Sequence, residues 1–337
     1  MRFYVQWKKL ISTLFQEVFC MVTIDLITGF LGSGKTTFIR GYVEYLISQG
    51  ENVCILENDY GAINVDMMLL KDLTGDNCEM EMIIGGDDAQ THARRFRTKL
   101  IAMAMSGYTR VIVEPSGVFD VDEFFDLLRE APLDNWYRIG SVLTIVDAGI
   151  PSDLSEAAEY LLLSQCADAG RIILSHSDLY PEDRTEAVLE QINRAGRKFH
   201  CDRTFRPSNM ISVSMKDQKF DLTDEQYRKL SRVEYMLADF VKMPDITEGH
   251  FTSLFYYELS LSPEQLEAKT EKLFTDPAFG HVIRVKGFLP TGDDQWIQIN
   301  ANTAGISMQS CAHGQEVIIV IGEELDDARI KAFLTSE

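Results

Sequence analysis

No stretch of this 337-residue chain holds the ~20 consecutive apolar positions that a bilayer-spanning helix needs, so no transmembrane segment is expected. Basic charge is scarce. Lys and Arg number 32 against 52 Asp and Glu, a formal net charge of -20, and such a surface repels a phosphate backbone. Nucleic acid is therefore not an expected partner. The six cysteines, Cys20, Cys54, Cys78, Cys166, Cys201 and Cys311, form no C-x-x-C pair, and several fall in apolar runs. They read as buried free thiols of a reducing compartment, which points to the cytoplasm. There is no nucleophile-elbow pattern to support Ser-His-Asp catalysis.

What is present fits a globular protein. Hydrophobic residues make up 45% and charged residues 25%, and the length exceeds one usual domain, so two are expected. Residues 1–21 read as an N-terminal extension. In it Trp7, Leu10, Ile11, Leu14, Phe15, Val18 and Phe19 recur at helical spacing, opposite Lys8, Lys9, Gln16 and Glu17. This pattern suits a helix packed on the body, or a start site placed ahead of Met21. Two lysines make a weak basic face for a membrane surface.

From Val22 to about Ser214 the runs VTIDLIT, NVCILE, RVIVE, GSVLTIVDA and RIILS read as buried strands. Helical stretches start near Lys35, Asp120, Ser152 and Pro181, and another covers Ala93 to Met105. That alternation predicts an α/β fold, a parallel sheet with crossover helices, over 22–215. Residues 216–250 read as a helical linker. Thr223 and Gln226 open it as a capping box, apolar positions recur at Val233, Met236, Leu237, Phe240 and Val241, and Pro244 ends it. Over 251–337 a strand, a helix capped by Ser262, the strands HVIRVKGFL, QWIQIN and EVIIVIG, and a closing helix predict a small α+β domain.

Residues 28 to 37, TGFLGSGKTT, carry the chemistry. Gly29, Gly34, Lys35 and Thr36 satisfy G-x-x-x-x-G-K-[ST] between a buried strand and a helix, the context of a P-loop. Glycines there let the backbone approach phosphates, and the N–H groups of the loop and helix start face the negative charge. Gly29, Gly32, Ser33, Gly34, Lys35, Thr36 and Thr37 form the expected cradle. Lys35 would reach the β- and γ-phosphates and Thr36 would bind Mg²⁺. The run VIVEPSG, 111–117, ends a buried strand in an acid. Glu114 can hold the Mg²⁺ shell, directly or through water, and the Gly117 N–H can sense the γ-phosphate; the competing reading is an ordinary strand end. In RIILSHSDL, 171–179, Asp178 can accept from the guanine N–H and amino groups, or it can cap the helix that begins near Pro181.

Taken together, these segments resemble the CobW-like P-loop GTPases, a group that assembles metal centres. The resemblance runs through GFLGSGKTT, ENDYGAINVD, VEPSG, TIVDA ending at Asp147, GHVIRVKGFL and VIGEELD. It implies a Mg²⁺-dependent GTP-binding protein with slow GTPase activity, a nucleotide switch in metal or metallocofactor delivery to a client metalloprotein or cofactor-dependent enzyme. It also suggests a homodimer. By resemblance Asp59, Asp66 and Glu114 order metal and attacking water, and segments 58–66 and 115–120 act as switches. A non-hydrolysing, nucleotide-gated binding module is the alternative.

Two departures from the family pattern matter. The guanine-reading segment, usually N-K-x-D, is Ser175-His176-Ser177-Asp178 here, so His176 stands in the lysine's place and can stack on the base, while Ser175 is a shorter brace. The family's G-C-x-C-C thiolate cluster is absent; Gly86, Asp87, Asp88 and Ala89 stand where it would be. Asp87, Asp88 and His92 offer a harder ligand set, although both aspartates read more readily as helix-start residues. Cys78 with Glu79 and Glu81, and Cys311 with His313, are weaker sets.

Overall fold

The computed structural model describes residues 21–59, 70–84, 89–117, 121–181, 183–216, 219–243, 249–292, 295–303, 305–312 and 314–336. A seven-stranded sheet dominates the first two-thirds of the chain. Its strands are β1 (Val22–Thr28), β2 (Val53–Asp59), β3 (Cys78–Ile84), β4 (Arg110–Pro115), β5 (Tyr137–Asp147), β6 (Arg171–Ser175) and β7 (Met210–Ser212). They lie in the order β3-β2-β4-β1-β5-β6-β7, and every pairing is parallel. All residues of β1 and β4 are buried, as expected of strands covered on both faces.

The helices supply that cover. Helix α1 (Lys35–Ser48) packs Phe38, Ile39 and Tyr42 on one face of the sheet. On the other face lie α2 (Ala89–Ala104) and α3 (Asp122–Leu128), through Phe96, Leu100 and Phe124. A four-residue turn of helix, α4 (Leu133–Trp136), leads into β5. Helices α5 (Glu156–Ala167) and α6 (Arg184–Lys198) cover the β5–β6 side through Tyr160, Leu163 and Ile192. Strand β1 carries one charged residue, Asp25, fully buried at an irregularity in the β1–β5 register. It accepts hydrogen bonds from Tyr42 (2.8 Å), Arg110 (2.9 Å) and the Ser141 N–H (2.7 Å).

A short hairpin, β8 (Met215–Lys216) and β9 (Lys219–Phe220), leads to α7 (Asp224–Leu230). The Thr223/Gln226 capping box is present, but the helix ends at Leu230 and does not continue through Val241. Glu234 adopts φ 58°. Residues 231–243 then cross the body as a strap without helix, and its main chain bonds to other elements: Val142 N–H to Glu234 O, Met236 N–H to Asp168 O and Val241 N–H to Phe199 O. Tyr235 packs against Phe125, and Phe240 against Tyr160. The helix-like periodicity misled because Met236, Leu237 and Val241, on its apparent apolar face, are exposed.

Residues from Phe251 onward form an antiparallel five-stranded sheet, β10 (Phe251–Tyr256), β14 (Val317–Glu323), β11 (His281–Gly292), β12 (Gln295–Asn302) and β13 (Gly305–Cys311), in that order. One face is covered by α8 (Pro263–Thr275) and α9 (Asp327–Thr335), through Leu266, Leu273, Ile330 and Leu334. Ser262 and Gln265 cap α8 reciprocally. The opposite face turns toward the loop after β1, and this decides how the site is built.

Candidate functional site

The loop between β1 and α1 brings its polar groups together because its glycines adopt conformations closed to other residues. Gly32 and Gly34 have φ of 77° and 98°, and a Cβ on Gly29 would lie 2.2 Å from the Ile145 carbonyl oxygen. Lys35 is buried and donates from Nζ to the Gly29 carbonyl at 2.9 Å, so its ammonium spans the mouth of the loop. The Thr36 hydroxyl donates to Glu114 Oε1 at 2.9 Å. A hydroxyl and a buried carboxylate at one point form a hard oxygen pair of the kind Mg²⁺ takes. Glu57 is also buried and pairs in register with Glu114 across β2 and β4. Acidic side chains thus gather at this flank of the loop.

Gly117 follows the end of β4. A Cβ there would lie 2.9 Å from the Leu31 nitrogen, so this loop presses directly on the phosphate loop. The Gly117 carbonyl accepts from Gln165 Nε2 at 2.9 Å, and the Ser116 N–H donates to the Asn58 carbonyl at 2.8 Å. Gln165 was not singled out from the sequence, since a glutamine inside a mostly apolar helix gives no sign of what it reaches.

On the other flank, Ser175 Oγ donates to the Ser33 carbonyl at 2.8 Å, so the shorter residue still braces the loop. His176 follows in the left-handed region, φ 53°, with Nδ1 3.2 Å from Asp147 Oδ2. The contact is an ion-pair approach and not an aligned hydrogen bond. The Asp147 carboxylate nevertheless holds the His176 pKa above its ordinary value, against the opposing pull of burial. Asp147 Oδ1 accepts from the Gly149 N–H. Asp178 accepts from the Met215 N–H at 3.1 Å, while Asp183 occupies the N-cap of α6, so the helix-cap reading of Asp178 does not hold.

The second sheet completes the surroundings. Phe30 and Leu31, inside the phosphate loop, pack among Phe288, Val317, Ile319 and Ile321. Asn302, at the end of β12, sits over Gly32, with its Nδ2 3.0 Å from where a Cβ would be. Nearby, Ser155 donates to Glu323 Oε1, and His281 Nδ1 lies 3.0 Å from Glu323 Oε2. A large apolar pair inside a glycine loop was the available signal for this cover.

The side chain of Asp59, and Asp66, Asp87, Asp88 and His313 entirely, lie outside the described residues. Among the described residues no group of three His, Cys, Asp or Glu is placed to hold a metal ion. Glu79 accepts from Tyr108, Lys99 donates to Glu81 at 2.7 Å, and Cys78 is buried among apolar side chains, so the Cys78 set is not assembled. Burial pushes the thiols of Cys54 and Cys166 up to about 12 and that of Cys78 up to about 11. No helix among the described residues is long and apolar enough to cross a membrane.

A parallel sheet whose first strand runs into a glycine loop, a buried lysine and a Thr–carboxylate pair defines a P-loop nucleotide-binding protein. The profile of the CobW/HypB/UreG nucleotide-binding domain matches residues 23–201, and the chain belongs to that family of P-loop GTPases. It is 28% identical over 169 residues to the zinc chaperone YeiR of Escherichia coli (strain K12), covering 50% of each protein. It is 21% identical over 350 residues to the zinc-regulated GTPase metalloprotein activator 1 of Dictyostelium discoideum, covering 91% of this chain and 71% of that protein. The chain spans about half the length of the bacterial zinc chaperones YeiR and YjiA that it matches. Among solved structures, Zn(II)-bound YjiA GTPase from E. coli aligns over 93% of this chain and 98% of that one, with 14% identity and a TM-score of 0.37.

Proposed function

We propose that the chain is a Mg²⁺-dependent GTP-binding switch with slow GTPase activity that acts in delivering a metal or metallocofactor to a client protein. The observation that carries this reading is the seating of the phosphate loop. Its polar side holds Lys35, Thr36 and Glu114 together, while its apolar side, Phe30 and Leu31, packs against the second sheet. A ligand on one side therefore bears on the packing of the other. Segments 22–215 and 251–337, joined by 216–250, are the two units this coupling would link.

When bound, Mg²⁺ and the triphosphate supply a reactive phosphorus and the charge that must be neutralised. Gly29, Gly32, Ser33, Gly34 and Thr37 wrap the phosphates, and Lys35 meets their oxygens. Thr36 and Glu114, with Asp59 and Asp66 by resemblance, would hold the metal, and Asp59, Asp66 and Glu114 would order the attacking water. Gly117 senses the γ-phosphate, with Gln165 fixing its carbonyl. Asp178 and His176 face the base. The names of the relatives, zinc chaperones and a metalloprotein activator, support a client metalloprotein as partner. Because the soft thiolate cluster of the family is missing from the sequence, an organometallic cofactor or a client enzyme suits the cargo better than a bare soft ion. The buried free thiols suit the cytoplasm. A homodimer rests on analogy with related GTPases.

Calorimetry with GTP, GDP and ATP in Mg²⁺, followed by single-turnover hydrolysis, tests the reading. Binding of GTP with slow hydrolysis is expected. Binding without hydrolysis would make the chain a nucleotide-gated binding module, and no heat with any of the three would end the functional account.

A further inference from the structure

The two flanks of the phosphate loop differ in chemistry. Toward β4 stand Thr36 and Glu114, the hard oxygen pair suited to the metal end of a triphosphate. Toward β6 stands Ser175, tied to Ser33. A nucleotide whose terminal phosphates lie on the first flank extends its sugar and base past the second, where His176 is the next residue along the chain.

His176 is held there under strain. A non-glycine residue at φ 53° is uncommon, and it persists only where the surroundings over-determine it. Here they do. Ser175 is fixed by the Ser33 and Val146 carbonyls, Ser177 N–H reaches the Val213 carbonyl, and Leu179 N–H donates to the His176 carbonyl. The left-handed turn carries the ring back toward β5, where Asp147 lies in register with Ser175. The His176 side chain is 27% exposed, so part of it is open to a ligand while Nδ1 lies against Asp147.

We propose that Asp147 and His176 form a proton-dependent clamp for a purine nucleotide, in which Asp147 positions the His176 ring and the protonated ring places a cation beside the base. An imidazolium beside a purine is favoured over neutral imidazole, as a cation over a π face. The charged groups facing it are Asp147 from β5 and Asp178 from its own loop, and both favour its protonated form. Arg184 of α6 donates instead to the carbonyls of Ala148 and Ile150. The proposal rests on the nucleotide-switch reading, and it makes Asp147 a positioning residue for the His176 ring.

The test is calorimetric affinity for GDP from pH 6 to 8.5 in the full chain, with H176K and D147N beside it. Relative to H176K, the wild type should lose about three- to tenfold in affinity as pH rises, on the scale of a cation–π contact. H176K should hold the low-pH affinity throughout, leaving only the slope due to phosphate ionisation, and D147N should move the wild-type fall to lower pH. Independently of any variant, NMR titration of the wild-type His176 ring should show its pKa rising on addition of GDP. A wild-type curve parallel to that of H176K, or a ring pKa that stays or falls with GDP, overturns the clamp and leaves the switch standing. Absence of GDP binding at every pH overturns the switch itself.

Discussion

Gly117 lies so close beneath Leu31 that a Cβ on it would meet the Leu31 nitrogen at 2.9 Å and its Cα at 3.0 Å. Backbone atoms cannot rotate aside as a side-chain end can. The loop after β4 and the phosphate loop therefore share one fitted surface, and a change at either is felt at the other.

Gly117→Ala should consequently displace the phosphate loop while leaving the sheets folded. The expected outcome is a drop of about tenfold or more in GTP affinity, equivalent to about 1.4 kcal/mol, with a far-ultraviolet spectrum like that of the wild type. Calorimetry on the refolding-competent variant checks it. Unchanged affinity would mean that the phosphate loop absorbs the methyl group without cost to the ligand.

The Thr36–Glu114 contact predicts a metal-specific defect. Glu114→Gln keeps a hydrogen-bond acceptor for the Thr36 hydroxyl but removes the charge that a divalent cation needs. Single-turnover GTP hydrolysis should fall by about 10- to 100-fold at fixed Mg²⁺, the range seen when outer partners of metal ligands are changed, and should recover partly at higher Mg²⁺. A loss that no Mg²⁺ concentration recovers would place Glu114 in the fold and not in the metal shell.

Stability should follow the protonation of His176 in the nucleotide-free protein. Its folded pKa is raised by Asp147 above the unfolded value of ~6.5. The ion pair therefore contributes fully below that unfolded value and is lost as pH rises through the folded pKa. The wild type should exceed Asp147→Asn in unfolding free energy by about 1 kcal/mol or less at pH 5.5, and the gap should narrow by pH 8.5. Urea melts at the two pH values measure this. A gap that is equal at both, or wider at pH 8.5, contradicts the assignment.

What the sequence revealed divides along physical lines. The long buried strands and the glycine loop were legible because burial on both faces and φ above zero each demand particular residue types, as in VTIDLIT and at Gly32 and Gly34. The strand Cys78–Ile84 was harder to read. It sits at the end of the described sheet order, where only one neighbour imposes a pattern, and it alternates Glu79 and Glu81 with buried or half-buried residues. The strap 231–243 was misread because spacing alone cannot distinguish a helix face from residues that anchor an extended segment to three separate clusters, as Val233, Tyr235 and Phe240 do. The Asp25–Tyr42–Arg110 network and the Asp147–His176 pair join residues distant in the chain, and their partners cannot be read from spacing.

The apolar side of the phosphate loop seats it on the second sheet. Leu31 is nearly buried, and its neighbours Phe288, Val317, Ile319 and Ile321 all belong to the second sheet. Leu31→Ala removes this contact without touching a polar group of the cradle, and truncating a buried leucine costs about 2–5 kcal/mol. If the loop transmits ligand state through this packing, GTP should protect the wild-type 216–250 connection from limited proteolysis, and the protection should weaken in Leu31→Ala at saturating GTP. Ile319→Ala, on the opposite side of the same contact, should reproduce the effect, and the double variant should lose less than the sum of the two, because contacting residues couple. Additive losses with intact GTP protection would show that the second sheet props the loop up without reading it.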